Sequence, residues 1–165
     1  MTFEADVSAA RPAPTAASRR RIDELADLLG NHAAEDGIWT TSIPGLSVIR
    51  FSEPSDEIAH ALHQPAVCII AQGAKRVMLR DEVYSYDASR FLVFSVDLPI
   101  CAQVTDATSE VPYLCFRLDL DPAAISELLL KAGYTSTTQE PAGRGLFLNP
   151  VTEPIVDAAV RLMKL

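Results

Sequence analysis

The sequence is poor in the residues from which many catalytic and structural sites are built. Its 165 residues include three histidines, three cysteines and one tryptophan. A metal site needs several His, Cys or carboxylate side chains that converge, and three histidines offer few such sets. A secreted disulfide framework needs paired cysteines, whereas three is an odd number. The composition therefore indicates neither a His-rich metal centre nor a disulfide scaffold, and no cofactor is predicted.

Long apolar runs and an excess of positive charge are also missing. No apolar run approaches the roughly 20 residues that a membrane-spanning helix needs, and the N-terminus lacks the apolar core of a secretion signal. With 14 Lys and Arg against 22 Asp and Glu, the formal net charge is -8. An acidic surface repels nucleic-acid phosphates and anionic lipids. These absences predict a cytoplasmic protein that binds no membrane and, through this segment, no DNA.

Motifs of nucleophilic catalysis and nucleotide binding are absent as well. The chain contains no G-x-S-x-G elbow, no P-loop and no G-x-G-x-x-G fingerprint. His60 and His63 are three residues apart and could share one face of a helix, but no later histidine completes a metal-binding set. Cys68 follows shortly after His63, and that spacing alone does not indicate the adjacent base that a reactive thiol needs. We predict no catalytic residue and no metal ligand.

What the sequence does contain is a series of short β-rich runs. Hydrophobic residues make up 48% of the chain, which is enough to build a core. Between residues 38 and 120 these runs recur about every 8 to 12 residues and are separated by turn residues, a spacing typical of a β-sandwich or small barrel. The runs are 46–51, 66–71, 75–80, 83–86, 90–96, 100–104 and 112–120.

Helical or irregular segments flank these strands on both sides. Residues 1–18 are rich in Ala, Pro, Ser and Thr and predict a disordered arm. Residues 19–37 predict a helix and a loop, with Ser18 as the N-cap and a stop at Gly30.

The predicted barrel occupies 38–120, and 121–165 predicts a C-terminal helical segment. Asp121 and Pro122 are typical of a helix start, and Gly133 suits its left-handed end. A last helix, expected from Thr152, is still amphipathic at Leu165, which favours its continuation into a longer protein.

Six short motifs between residues 38 and 165 together resemble the N-terminal domain of one group of AraC-type transcription regulators. They include an apolar strand that ends in QG, the KRV that follows it, a YxYD turn and the SVDLP segment. The motifs are Pro44–Leu46, Pro65–Gly73, Lys75–Val77, Tyr84–Asp87, Ser95–Pro99 and Pro112–Pro122.

The resemblance implies a mainly β fold: a cupin-like double-stranded β-helix barrel, or jelly-roll, with flanking N-terminal and C-terminal α-helices. In such regulators the barrel senses a small-molecule effector and helps to form a homodimer, while helix-turn-helix motifs further along the chain read DNA. Enzymatic cupins carry metal-binding histidines on their early strands. Here Tyr84, Tyr86, Val93 and Phe94 occupy that region, so the resemblance implies a metal-free container rather than an enzyme.

Strand parity supplies the candidate ligand-binding residues. In the last β-run, Tyr113, Cys115 and Arg117 share one face and the large apolar residues share the other. Cys68 and Gln72 on an earlier strand are weaker candidates. Three alternatives stay open: the polar face of the last run points to solvent, the barrel only dimerises through the apolar faces of 122–132 or 152–165, or the chain is a metal-dependent cupin enzyme.

Overall fold

A computed structural model describes residues 13–134 and 145–165, and it places three helices and ten strands in these ranges. In chain order the elements are α1 (Ala16–His32), β1 (Gly37–Thr40), β2 (Leu46–Phe51), β3 (Ala59–His63), β4 (Ala66–Gln72), β5 (Ala74–Leu79), β6 (Glu82–Asp87), β7 (Arg90–Phe94), β8 (Leu98–Asp106), β9 (Tyr113–Asp119), α2 (Pro122–Lys131), β10 (Leu146–Pro150) and α3 (Glu153–Met163).

The strands form two antiparallel sheets that face each other. The larger sheet has six strands in the order β1-β2-β9-β4-β7-β10, and the smaller has four in the order β3-β8-β5-β6. From β2 to β9 the chain passes to the other sheet after every strand except β5, as in a jelly-roll. The mainly β, cupin-like barrel with flanking helices is thus confirmed, and all seven predicted runs are strands.

Gly73 lies where the chain crosses from the larger sheet to the smaller one. Its φ of +85° is unfavourable for other residues, and a Cβ at this position would lie 2.6 Å from the carbonyl oxygen of Asp106. The Gln72 side chain fixes the crossover by donating a hydrogen bond of 2.8 Å to the carbonyl of Pro112. The QG pair therefore brings β4 and β5 close to the start of β9.

Two apolar cores lie on opposite faces of the six-stranded sheet. The barrel core fills the space between the sheets. Its buried members are Ile49, Ala66, Cys68, Ile70, Val77, Leu79, Tyr84, Tyr86, Leu92, Phe94, Ile100, Val104, Ala107, Tyr113, Cys115 and Leu146. The helix-side core lies beneath α1 and α3. Its buried members are Ile22, Leu25, Leu29, Ala33, Leu46, Val48, Ile69, Ala71, Leu114, Phe116, Val151, Val156, Ala159 and Val160.

The two long helices cover the outer face of the six-stranded sheet and contact each other. An ion pair of 3.1 Å joins Arg21 of α1 to Asp157 of α3, and a second joins Glu24 to Lys164. In contrast, no residue of α2 is buried. No described helix is both long enough and apolar enough to span a bilayer.

The structure corrects several predicted boundaries. Helix α1 starts at Ala16 and is capped by Thr15, whose side chain accepts a hydrogen bond from the Ser18 amide, so Ser18 lies inside the helix rather than at its cap. The helix also continues past Gly30 to His32. Residues 1–12 of the predicted arm lie outside the described residues.

Three strands that the sequence did not predict also appear. They are β1, β3 and β10, and the last of these lies within the segment predicted to be helical. Pairing of β10 with β7 explains the difference, because residues 146–150 complete the edge of the larger sheet. The capping predictions for α2 are confirmed: Asp121 accepts a hydrogen bond from the amide of Ala123, and Gly133 has a φ of +75°.

Candidate functional site

Three of the five residues selected from the sequence are buried in the barrel core. Tyr113 and Cys115 on β9 and Cys68 on β4 are at most 4% exposed. Arg117 shares their face of the sheet, because it lies two residues beyond Cys115, and its side chain is 21% exposed. The alternative that this face of β9 points to solvent is therefore wrong for Tyr113 and Cys115. A role in ligand binding stays a prediction for all of them.

Gln72 has a different position from the other four. Its amide nitrogen donates a hydrogen bond to the carbonyl of Pro112 at the sheet crossover. This contact assigns it an architectural role in the structure.

Two tyrosine hydroxyls in the barrel core have no hydrogen-bond partner among the described residues. They belong to Tyr86, which is 2% exposed, and Tyr113, which is 1% exposed. Burial raises the pKa of both phenols well above the ordinary value, so both stay protonated and can donate. A buried hydroxyl without a partner costs roughly 1–3 kcal/mol. Each hydroxyl is therefore available to a polar group that enters the barrel.

The thiols of Cys68 and Cys115 lie beside each other. Cys68 is opposite Arg117 in the strand register and Cys115 is opposite Ile70, which makes the cysteines diagonal neighbours. Diagonal positions are roughly 7–8 Å apart, beyond the usual Cα separation in a disulfide, and both cysteines are free. A hydrogen bond between the thiols raises the pKa of Cys68 well above its usual value and lowers that of Cys115 to about 7.

His63 lies at the edge of the same interior, where it contacts Arg117. Its Nδ1 is 3.3 Å from a terminal nitrogen of Arg117, and its ring centroid is 5.1 Å from that of Phe94. Burial, followed by the charges of Lys75 and Arg117, lowers the pKa of His63 to about 4. Since a guanidinium only donates, the neutral imidazole accepts at Nδ1 and carries its proton on Nε2.

Sequence reasoning missed His63 and Lys75 as members of this site. The strand β3 was not predicted, so the orientation of His63 could not be inferred. In the structure His60 and His63 lie three apart on a strand and therefore face opposite sides. His60 points outward, with its Nδ1 3.0 Å from the Cys101 sulfur. The helical arrangement that would let both histidines bind one metal is therefore wrong.

An open pocket of about 440 Å³ lies beside Arg117, at the side of the barrel formed by β1 and β2. Its walls are mostly apolar, with a few hydroxyl groups and the ion pair of Arg117 with Asp119. The residues around it are Ile38, Thr40, Thr41, Ile43, Pro44, Gly45, Leu46, Ser47, Ile49, Arg117 and Asp119. Because Ile49 and Arg117 also border the barrel interior, the pocket adjoins the buried thiols and phenols.

This arrangement has the chemistry of a binding site. It combines apolar walls, two unpaired phenol donors and cationic side chains, which together can orient an amphipathic small molecule. Within residues 13–134 and 145–165, no three His, Cys, Asp or Glu side chains are grouped so that they could hold a metal ion.

Three solved structures are similar to this chain, and the first of them supports the fold. An apo point variant of ToxT from Vibrio cholerae aligns with a TM-score of 0.51 at 8% identity, covering 76% of this chain and 49% of that one. Wild-type ToxT bound to an unsaturated fatty acid aligns with a TM-score of 0.49 at 9% identity, covering 76% and 48%. A cupin protein from Bacteroides fragilis aligns with a TM-score of 0.34 at 16% identity, covering 67% and 90%.

The chain spans about half the length of the ToxT chains that it matches. None of the curated proteins matches it. The family described as the AraC-type transcriptional regulator N-terminus matches residues 42–165. The match covers most of the barrel and both C-terminal helices, and it agrees with the jelly-roll architecture. The chain therefore belongs to the N-terminal domain family of AraC-type transcriptional regulators.

Proposed function

We propose that this chain is the effector-sensing domain of a bacterial, cytoplasmic transcription regulator and is not an enzyme. A small molecule binds in the barrel and in the pocket beside Arg117, and DNA is read by a helix-turn-helix domain outside these 165 residues. The observation that carries the proposal is the pair of buried, unpartnered hydroxyls of Tyr86 and Tyr113. Natural proteins satisfy most buried polar groups, so two such groups inside the barrel favour a ligand-binding role.

The route from ligand to output passes through the six-stranded sheet. Helices α1 and α3 cover the face of this sheet opposite the proposed ligand site. Two ion pairs, Arg21 with Asp157 and Glu24 with Lys164, join these helices to each other. A ligand that binds one arrangement of the barrel more tightly shifts the population toward that arrangement. Helix α3 then transmits the change to the rest of the regulator.

A screen of small molecules by thermal shift tests this function. We expect a ligand to raise the melting temperature of the wild-type chain, and Tyr86→Phe to weaken that shift. Ser85→Ala is the matched control, because Ser85 is the preceding residue of β6 and faces the other side of the sheet. Absence of any stabilising compound would contradict ligand sensing. Stoichiometric iron, zinc, manganese or nickel in the purified protein would contradict the non-enzymatic assignment.

Homodimer formation is the second candidate function, and α2 favours it. Leu128, Leu129 and Leu130 are 64%, 46% and 76% exposed, whereas the apolar face of α3 is buried against α1 and the sheet. Of the two predicted dimer faces, 122–132 is therefore the one left uncovered. Apolar surface of this kind gains free energy when a second copy covers it.

Sedimentation at several concentrations tests the dimer. We expect a concentration-dependent dimer that Leu128→Glu abolishes. Leu62→Glu is the control, because Leu62 is similarly exposed, at 66%, on the edge strand β3. A monomer at all concentrations, or a dimer that survives Leu128→Glu, would contradict dimerisation through α2.

A further inference from the structure

The charged groups beside the two thiols are cations. Lys75 shares a face of β5 with Val77 and Leu79, both of which are in the barrel core, so it points inward. It has no salt bridge to any carboxylate among the described residues. Lys75 and Arg117 are the charges that act on His63, Cys68 and Cys115.

The carboxylates of this region lie at its margins. Asp119 pairs with Arg117 at 3.0 Å and is half exposed. Glu82 is on the inward face of β6 but lies four residues from Tyr86, about 13 Å along the strand, and it accepts the hydrogen bond of Tyr84. Neither carboxylate offsets Lys75, so the interior around Tyr86 has an excess of positive charge.

The polar side-chain groups around Lys75 and Tyr86 are donors. An ammonium and a guanidinium can only donate hydrogen bonds. The Tyr86 and Tyr113 phenols are protonated and unpartnered, and neutral His63 presents Nε2–H because its Nδ1 accepts from Arg117. A complementary ligand group must supply several acceptors and negative charge, and a carboxylate does both.

Much of the rest of the surface beside Arg117 is apolar. Ile38, Ile43 and Ile49 border the 440 Å³ pocket, and Ile38 is 70% exposed there. A pocket of this size lies within the range that holds a drug-sized molecule. The apolar side suits a hydrocarbon chain or ring attached to the anionic group, and it distinguishes such a ligand from a free inorganic anion.

We propose that the effector is an amphipathic organic carboxylate. Arg117, Lys75 and the hydroxyl of Tyr86, which is the direct cross-strand neighbour of Lys75, hold its carboxylate. Its apolar part lies along the wall formed by β1 and β2. The inference rests on the proposed sensing function and names the chemical class of the ligand for that same site.

Matched pairs of probes test the class of ligand. The intact 165-residue chain is titrated calorimetrically, and its melting temperature recorded, with octanoate and octanamide, phenylbutanoate and phenylbutanamide, indoleacetate and indoleacetamide, and inorganic phosphate. We expect at least one carboxylate to bind at least about tenfold more tightly than its amide, and phosphate alone to have no effect. Equal binding of acid and amide, or binding of phosphate alone, overturns the carboxylate assignment.

Variants identify which cationic side chain binds the carboxylate. Arg117→Gln and Lys75→Gln should each weaken carboxylate binding about tenfold or more and leave amide binding unchanged. Arg117→Lys should recover part of the affinity if the charge is what matters. Lys131→Gln is the control, since Lys131 is 70% exposed on α2. Circular dichroism establishes that each variant is folded.

The outcomes separate the two proposals. If neutral amides bind and carboxylates do not, the carboxylate inference fails and effector sensing stands. If no member of the panel binds but the wider screen finds a neutral ligand, the carboxylate inference likewise fails and effector sensing stands. If neither the panel nor the screen finds any ligand, both proposals fail. Undiminished carboxylate binding in both Gln variants also overturns the inference.

Discussion

The two faces of the six-stranded sheet are built from the same strands but are composed differently. On the helix side, the buried members of the core beneath α1 and α3 are aliphatic side chains and Phe116, with no polar side-chain atoms. On the barrel side, the core includes two thiols and the unpaired hydroxyls of Tyr86 and Tyr113. The two cores therefore differ in whether their own members carry unpaired hydroxyls. At the edge of the helix side, the buried Nε of Arg50 has no hydrogen bond, but it lies 3.7 Å from a carboxylate oxygen of Asp36.

This difference indicates a division of roles. A wholly apolar core gains free energy in proportion to the area it buries and has no unmet hydrogen bonds. A core with unpaired donors gives up part of that stability and gains groups that can recognise a ligand. Under the proposed function, the helix side mainly supplies stability and the barrel side supplies recognition.

The largest expected effect comes from truncating neighbouring residues that face opposite sides. Ile69 and Ile70 on β4 are 1% and 0% exposed and point into the helix-side core and the barrel core, respectively. Changing either residue to Ala should lower the free energy of unfolding by about 2–4 kcal/mol, as measured by urea denaturation. Only Ile70→Ala should also alter which ligands bind. An equal effect of Ile69→Ala on ligand preference would break the comparison.

A smaller effect is expected from pH through His63. Its pKa is lowered to about 4 in the folded chain, whereas an unfolded histidine titrates near 6.5. The unfolded state therefore binds the proton first, and stability falls as pH drops from about 6.5 towards 4. Allowing for its partial exposure, we expect a loss of roughly 1–2 kcal/mol. In His63→Gln this part of the pH dependence of the unfolding free energy should disappear, as measured by denaturation at several pH values. An unchanged slope of unfolding free energy against pH would contradict the role of His63.

Removing an unpaired hydroxyl should have a still smaller effect, and of the opposite sign. Tyr113→Phe should raise the unfolding free energy of the ligand-free chain by about 1 kcal/mol, because a buried donor without a partner is lost. Tyr84→Phe is the matched control, since the Tyr84 hydroxyl donates to Glu82, and it should be neutral or destabilising. Equal destabilisation by both changes would indicate that Tyr113 has a partner.

The smallest effect is expected away from both cores. Glu127 and Lys131 form an ion pair of 2.6 Å on α2, and both side chains are about two-thirds exposed. Exposed pairs of this kind contribute roughly 0.3–0.5 kcal/mol. Glu127→Gln should therefore change the denaturation midpoint only slightly, which makes it a baseline for the other variants.

Much of the barrel could be predicted from the sequence because its strands alternate or run apolar between clear turns. β9 is the best example, since Tyr113 and Cys115 were placed on one face by parity alone. The strands that escaped prediction have weaker patterns. β3 reads Ala-His-Ala-Leu-His and has no β-branched residue, and at the edge of its sheet it is mostly exposed.

The site was only partly predictable for a related reason. Lys75 begins its β-run, a position typical of a solvated charge, but its parity with Val77 places it inside the barrel. Contacts between distant strands, such as that of His63 with Arg117 54 residues later, depend on the register of both sheets. One-dimensional patterns do not encode that register. Parity therefore placed Tyr113 and Cys115 on one face of β9, and only the fold placed Lys75 and His63 near them.

Strand β9 joins the two faces covalently. Cys115 lies between Leu114 and Phe116, which pack in the helix-side core, so adjacent side chains of one strand touch opposite compartments. A packed interior resists gradual deformation. If a bound molecule displaces Cys115 or Arg117 even slightly, Leu114 and Phe116, which pack beneath α1 and α3, are displaced with it. Strand β9 then couples the barrel core mechanically to the helix-side core.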